Sequence, residues 1–347
     1  MSLSSLATIL WHLGPWGEGS IPQGARRDVT TSSGGLKIAW YRPDRPPRGA
    51  YLVVQGLHFL GPDDARLDRF CRVLAAAGFL VAAPFVRSLG ALRVSEEGKL
   101  DVREAFEALA REGAEAPAIF SVSFGSSPAI AVAGDPEVRD RVRALLLFGG
   151  YADFDETVRF AAGGGDLGAR DPLNLPAVML NLIRHLEIGD DAPLLEAALW
   201  TMVRRTWGRM ELKRPGARDP IAQAIAEKLP ARLRPLFFLS CGLGDDPMPI
   251  VEKGLSSASF GFADPRADLA RVKAPVVIVH GREDDVVPWT EALKLRDALP
   301  AGHPCSLLLT GLYGHTGAER PKAGAALDEG RTLLRIARAL ASPPFGD

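Results

Sequence analysis

At 347 residues, with 41 basic and 42 acidic side chains and a formal net charge of −1, the chain has the length of one large domain or of a domain carrying an insertion. That balance leaves no charge excess to favour nucleic acid or an anionic membrane surface, and 47% apolar with 24% charged residues is ordinary for a globular protein. The three cysteines, Cys71, Cys241 and Cys305, are odd in number, widely spaced and without metal-ligand spacing, which excludes a disulfide framework and points to reduced thiols in a cytoplasmic setting.

Residues 1–13 are apolar but short and have no basic segment, so they read as an amphipathic arm packed on the domain rather than as a signal peptide. No apolar run approaches the roughly 18 residues that cross a bilayer, and no stable membrane insertion is expected. Residues 14–35, rich in Gly, Pro and Ser, read as irregular chain that completes an arm over 1–35. Residues 36–41 alternate like an edge strand. Residues 50–54 are apolar throughout, the mark of a central strand buried on both faces, and they run into a glycine-bearing loop over 55–61. Asp63 is placed to cap a helix with Leu67, Phe70, Leu74 and Ala77 on one face and Gly78 beyond its end. A strand over 79–83 stops at Pro84, and a helix over 101–112 carries Val102, Ala105, Phe106 and Leu109.

A short strand over 118–120 meets Ser121-Val-Ser123-Phe-Gly125, and 126–134 reads as a helix closed by Gly134. Residues 143–148 form the next buried strand. Strands alternating with helices at this rhythm imply parallel βαβ units in an open sheet covered on both faces. The rhythm breaks over 153–262, where helical patterns at 175–186, 194–207 and 221–229 mark an insertion. Its Leu, Met and Trp stripe reads as core packing, and in a cap the buried side of such a stripe also walls a pocket. Strand patterns return at 275–280 and 305–309, with helices over 290–299 and 325–340. The expected organisation is an N-terminal arm over 1–35, a core over 36–152 and 263–347, and a helical cap over 153–262.

Strand, abrupt turn and helix around Ser123 are the setting of a nucleophile elbow, in which a serine sits on a strained turn with its hydroxyl exposed. The usual pattern is G-x-S-x-G; Ser121 stands in the first glycine's place, where a small side chain suffices. A serine hydroxyl becomes a nucleophile near neutral pH only with a base in hydrogen-bond reach and an acid to orient that base. Asp284 follows the strand over 275–280, and His315, set among glycines, follows the strand over 305–309. Nucleophile, acid and base candidates thus fall at three strand ends in the order Ser, Asp, His.

From residue 36 to its end the chain resembles the α/β-hydrolase superfamily, on Ser121-Val-Ser123-Phe-Gly125, Gly281-Arg-Glu-Asp284-Asp-Val-Val-Pro288 and Gly314-His315. The resemblance implies the α/β-hydrolase fold, a mostly parallel, doubly wound sheet with a helical cap insertion, and a triad of Ser123, Asp284 and His315. The second motif matches the family's G-x-x-D-x-x-V-P segment, which selects Asp284 and leaves Glu283 and Asp285 as solvated neighbours. A rarer variant places the acid after an earlier strand, at Asp153 or Asp155. The oxyanion donors implied are the backbone N–H groups of Phe124 and of Leu57. Many relatives begin the second donor's loop with His-Gly, whereas this chain has Gln55-Gly56. His58 is placed to line the mouth of the site but reads first as a surface or packing residue, His280 reads as a strand-end packing residue, and His12, His185 and His303 show no partner pattern. A serine at the elbow excludes the aspartate nucleophile of haloalkane dehalogenases.

The expected chemistry is carboxylesterase-like: cleavage of an ester or related acyl compound through an acyl-enzyme, with no metal or organic cofactor. The expected substrate is a small molecule with a hydrophobic group to suit the apolar cap. Peptide, amide or thioester cleavage would use the same parts, and a non-catalytic binding protein on this scaffold is the reading from another class.

Overall fold

The computed structural model of the protein describes residues 3–14, 17, 19–163, 170–314, 317–318 and 326–343. The chain divides into two units, the first made of Met1–Ala152, Ala263–Asp284 and Trp289–Asp347, the second of Asp153–Phe262 and Asp285–Pro288. No helix among the described residues is long and apolar enough to cross a membrane.

The first unit opens with α1 (Leu3–Leu13), whose Leu6 and Ile9 enter the core while the Ser5 hydroxyl donates to the Ala77 carbonyl at 2.7 Å. β1 (Ala25–Thr31) pairs antiparallel with β2 (Lys37–Pro43), so the stretch expected to be irregular contains an edge strand. Its Ala-Arg-Arg-Asp-Val-Thr-Thr sequence has no apolar alternation; pairing with β2, not burial, makes it a strand. β3 (Ala50–Val54) is buried at every position. α2 (Ala65–Ala76) is capped by Asp64 rather than Asp63: Asp64 Oδ1 accepts from the Arg66 and Leu67 N–H groups at 3.1 and 3.4 Å, while Asp63 lies in the preceding turn. β4 (Leu80–Pro84), α3 (Arg87–Gly90) and α4 (Glu97–Arg111) follow. α4 starts ahead of the expected Asp101, because its first turn is mostly exposed and polar and leaves no periodic signal. β5 (Ala118–Val122), α5 (Ser126–Ala133) and β6 (Leu145–Phe148) complete this half.

The second unit holds α6 (Phe154–Gly163), α7 (Leu175–Leu182), α8 (Ala192–Thr206), α9 (Asp219–Ala226), α10 (Arg234–Ser240) and α11 (Met248–Ser257), with no strand among its described residues. It is more finely broken than the three patterns read from sequence, since Pro and Gly stand at most helix starts and turns. α7 and α11 approach closely: a Cβ on Gly254 would lie 2.9 Å from Leu182 Cβ.

The chain then returns to the first unit with α12 (Arg266–Leu269), β7 (Val276–Gly281), α13 (Thr290–Asp297), β8 (Cys305–Thr310), the short pair β9 (Tyr313–Gly314) and β10 (Gly317–Ala318), and α14 (Ala326–Ala341). The main sheet has the order β1-β2-β4-β3-β5-β6-β7-β8, parallel from β4 through β8, with β2 antiparallel to β4. From β3 the chain crosses one way to β4, and from β4 it crosses back to β5 on β3's other side. A sheet that reverses its winding opens a crevice at the carboxyl ends of the two strands where it reverses, here β3 and β5.

Candidate active site

The elbow is built by steric necessity. Ser123 follows β5 at φ +51°, in the left-handed region; the only other non-glycine residue there among those described is Leu92. Residues Ser123–Gly125 make one tight turn before α5 begins. A Cβ on Gly125 would lie 2.1 Å from the Gln55 carbonyl oxygen and 3.1 Å from that of Val54, so glycine is required for the turn to press against the end of β3. A Cβ on Gly150, after β6, would meet Ser126 Cβ at 2.8 Å, so the start of α5 is pinned from that side too. Ser121, in the family's glycine position, is fully buried.

Ser123 as a whole residue is only 3% exposed. The reason is local. The β3–β5 register sets Val54 opposite Ser121, and a Cβ on Gly56 would stand only 3.3 Å from Ser123 Cβ. The same register places the loop bearing Leu57 beside the turn bearing Phe124, the two residues expected to supply the oxyanion donors. Leu57 is half-buried; Phe124 is buried, its ring 5.2 Å from that of Tyr151.

The side chain of Gln55, which the sequence reading passed over, braces this loop. It is 1% exposed, and its Nε2 donates to the His58 carbonyl at 3.3 Å. Gly61, at φ +56°, passes so near that a Cβ there would lie 2.5 Å from Gln55 Oε1. The signal that could have found it is a polar residue closing an all-apolar strand just before a glycine. His58 stacks on Phe59 at 4.9 Å, accepts the Leu60 N–H at Nδ1 (3.2 Å) and has Nε2 3.5 Å from Asp64. Burial lowers its pKa more than the Asp64 carboxylate raises it.

Asp284 lies in the turn after β7 and is 7% exposed. Its carboxylate Oδ2 is 3.5 Å from Nε2 of His280, a fully buried histidine. His280 packs at the strand's end as expected, and it also neighbours the candidate acid. The turn is tied forward, because the Arg282 N–H donates to the Thr310 carbonyl at the end of β8 at 2.8 Å. Glu283 is exposed as expected, but Asp285 is not a solvated neighbour. Lys213 Nζ stands 2.7 Å from Asp285 Oδ2 and 2.9 Å from Asp171 Oδ2, and the Asp171 N–H donates to the Asp285 carbonyl at 2.7 Å. The alternative acid Asp153 accepts the Glu156 N–H at 3.0 Å, a helix-start role in α6, and Asp155 is half-buried in that first turn.

His315, the candidate base, lies outside the described residues. The chain leading to it is held by a contact that sequence does not reveal. Glu329 of α14 accepts the Thr310 hydroxyl at 2.7 Å and the Gly311 N–H at 2.8 Å, while Thr310 Oγ1 accepts from the Leu312 N–H at 3.0 Å. The remaining histidines have structural partners: His12 Nδ1 with Ser20 Oγ at 2.8 Å, His303 Nε2 with the Ala274 carbonyl at 2.9 Å, and the His185 ring edge-on to Phe260.

A mostly parallel eight-stranded sheet with flanking helices and an elbow after β5, at the point where the winding reverses, defines the α/β-hydrolase fold. No protein-family model matches the chain, and no curated protein matches it. Among solved structures, the acylaminoacyl peptidase of Pyrococcus horikoshii is similar at 14% identity and TM-score 0.48, over 92% of this chain and 41% of that one, so this chain spans about two-fifths of that protein's length. A serine hydrolase of Cycloclasticus zankles is similar at 14% identity and TM-score 0.48, over 93% and 100% of the two chains. An esterase of Pyrococcus furiosus is similar at 13% identity and TM-score 0.48, over 91% and 89%.

Proposed function

We propose that the protein is a serine hydrolase that cleaves a carboxylic ester or related acyl compound through an acyl-enzyme. The observation that carries this reading is Ser123 at φ +51° in the crevice between the ends of β3 and β5. Holding a non-glycine residue there costs roughly 1–2 kcal/mol. Such strain persists where the surrounding structure over-determines it, and it clusters at functional sites.

In this reading His315 removes the Ser123 proton as Oγ attacks the acyl carbon, and Asp284 steadies the imidazolium that forms. The backbone N–H groups of Phe124 and Leu57 hold the oxyanion. Collapse of the tetrahedral intermediate breaks the bond to the alcohol, which leaves with the proton from His315. Water then gives a proton to His315 and attacks the acyl carbon; the bond to Ser123 Oγ breaks as His315 returns that proton to Oγ, releasing the acid and restoring Ser123. The apolar Leu and Met content of the helical unit favours a hydrophobic acyl or alcohol group. The thiol usage favours a cytoplasmic setting.

The test is labelling by a fluorescent fluorophosphonate, run with turnover of p-nitrophenyl esters from acetate to decanoate, on the wild type and Ser123→Ala. Labelling and turnover in the wild type, both lost in the variant, are expected. Labelling with turnover only of acyl-amides or thioesters would shift the substrate class and leave Ser123 as nucleophile. A folded wild type that takes no label would overturn the reading in favour of a binding protein.

A further inference from the structure

Two arginines set into the helical unit form no ion pair with a carboxylate among the described residues. Arg218, just before α9, is 8% exposed, and Arg170, before α7, is half-buried. Nε of Arg218 and Nη1 of Arg170 are shut off from solvent and have no hydrogen-bond partner. The contrast with Lys213 in the same unit is direct. That ammonium has the carboxylates of both Asp171 and Asp285 in contact, so Asp171, which also acts on Arg218 electrostatically, is already engaged. Asp246, the carboxylate acting on Arg170, accepts the Met248 N–H at 3.0 Å, and Asp219, acting on Arg218, is exposed.

The two guanidinium groups converge on one point. A Cβ on Gly242 would lie 3.6 Å from Arg218 Nη2 and 3.7 Å from Arg170 Nη2, and the Gly242 carbonyl accepts from Arg218 Nη2 at 3.2 Å. Gly242 itself carries no side chain, and the Leu175 methyl carbon Cδ2 lies 3.4 Å from the same point, forming an apolar wall beside the two guanidinium groups. Burial, and for Arg170 also the neighbouring Arg218 charge, lowers the pKa of both groups by more than the carboxylates named above raise it. Buried charge without a partner is costly, and a planar fork of N–H donors matches a carboxylate or phosphate oxygen pair. Gly216, Asp219, Pro220 and Gln223, near Arg218 in the chain, and Phe238 and Leu243, near Gly242, line an open depression of about 450 Å³.

We propose that Arg170 and Arg218 form a paired-guanidinium site for a small oxyanion, a carboxylate or a phosphate. An anion held there would tie the chain before α7, the start of α9 and the end of α10 into one contact. The site stands independently of the hydrolase reading.

The test uses the full chain, titrated with sodium phosphate, sodium succinate or sodium chloride at matched ionic strength and followed by thermal unfolding and calorimetry. Saturable binding and a raised unfolding midpoint with phosphate or succinate, absent with chloride, are expected; whichever oxyanion binds more tightly identifies the source. Arg170→Met and Arg218→Met should each weaken binding by about tenfold or more. Should the Met variants fail to fold, Arg170→Lys and Arg218→Lys keep the charge, lose the fork and should still bind more weakly. A midpoint that rises equally with chloride, or oxyanion affinity unchanged in the substituted proteins, would overturn the proposal and leave the space to water.

Discussion

Ser123 and Gly125 occupy one turn and are constrained for different reasons. At Gly125 the obstacle is an atom: the Gln55 carbonyl lies where a side chain would begin. At Ser123 it is the backbone itself, held at φ +51°. The left-handed conformation costs a non-glycine residue roughly 1–2 kcal/mol, and glycine's extra freedom in the unfolded chain takes back roughly 0.5–1 kcal/mol. Ser123→Gly is therefore expected to be about 1 kcal/mol more stable than Ser123→Ala, with both inactive. Urea unfolding of the two variants measures this, and equal midpoints would mean that the turn stores no strain. That ordering would separate a serine kept for chemistry from one kept for packing.

At the scale of elements, the loop leading to His315 is anchored from the far end of the sequence. Glu329 of α14 satisfies the Thr310 hydroxyl and the Gly311 N–H together, and Thr310 is fully buried. Glu329→Ala would leave both donors of this half-buried pair without their acceptor, which costs roughly 1–2 kcal/mol. The expected outcome is a lower unfolding midpoint together with reduced ester turnover, since the proposed base, His315, follows this anchor in the chain. Glu329→Gln, which keeps one carbonyl acceptor, should recover part of both. Loss of stability with full turnover would show that Glu329 holds α14 to the sheet and does not position the site. The contact joins residues 19 and 18 positions apart across a turn that carries no apolar period, which is why no pattern in the sequence marks it.

For the whole molecule, burial decides which cysteines are chemically available. Cys71 and Cys241 are fully buried, and burial pushes both thiols well above their usual range; Cys305, half-buried at the start of β8, is raised by the same cause. Ellman's reagent should therefore find no more than one slowly reacting thiol in the native protein, assigned to Cys305, and all three in denaturant. Fast reaction of more than one native thiol would contradict the core described for either unit. The apolar runs at 50–54, 118–120 and 275–280, the helical periods between them and the strand–turn–helix around Ser123 were all legible in the sequence, because each records how one element buries its own faces or turns its own backbone. The edge strand β1, the brace of Gln55 across its loop, the His280 contact with Asp284 and the Lys213 bridge to Asp285 were not. Their partners are set by register, by turn geometry or, for Lys213, by a residue 72 positions away, and only the folded chain brings such groups together.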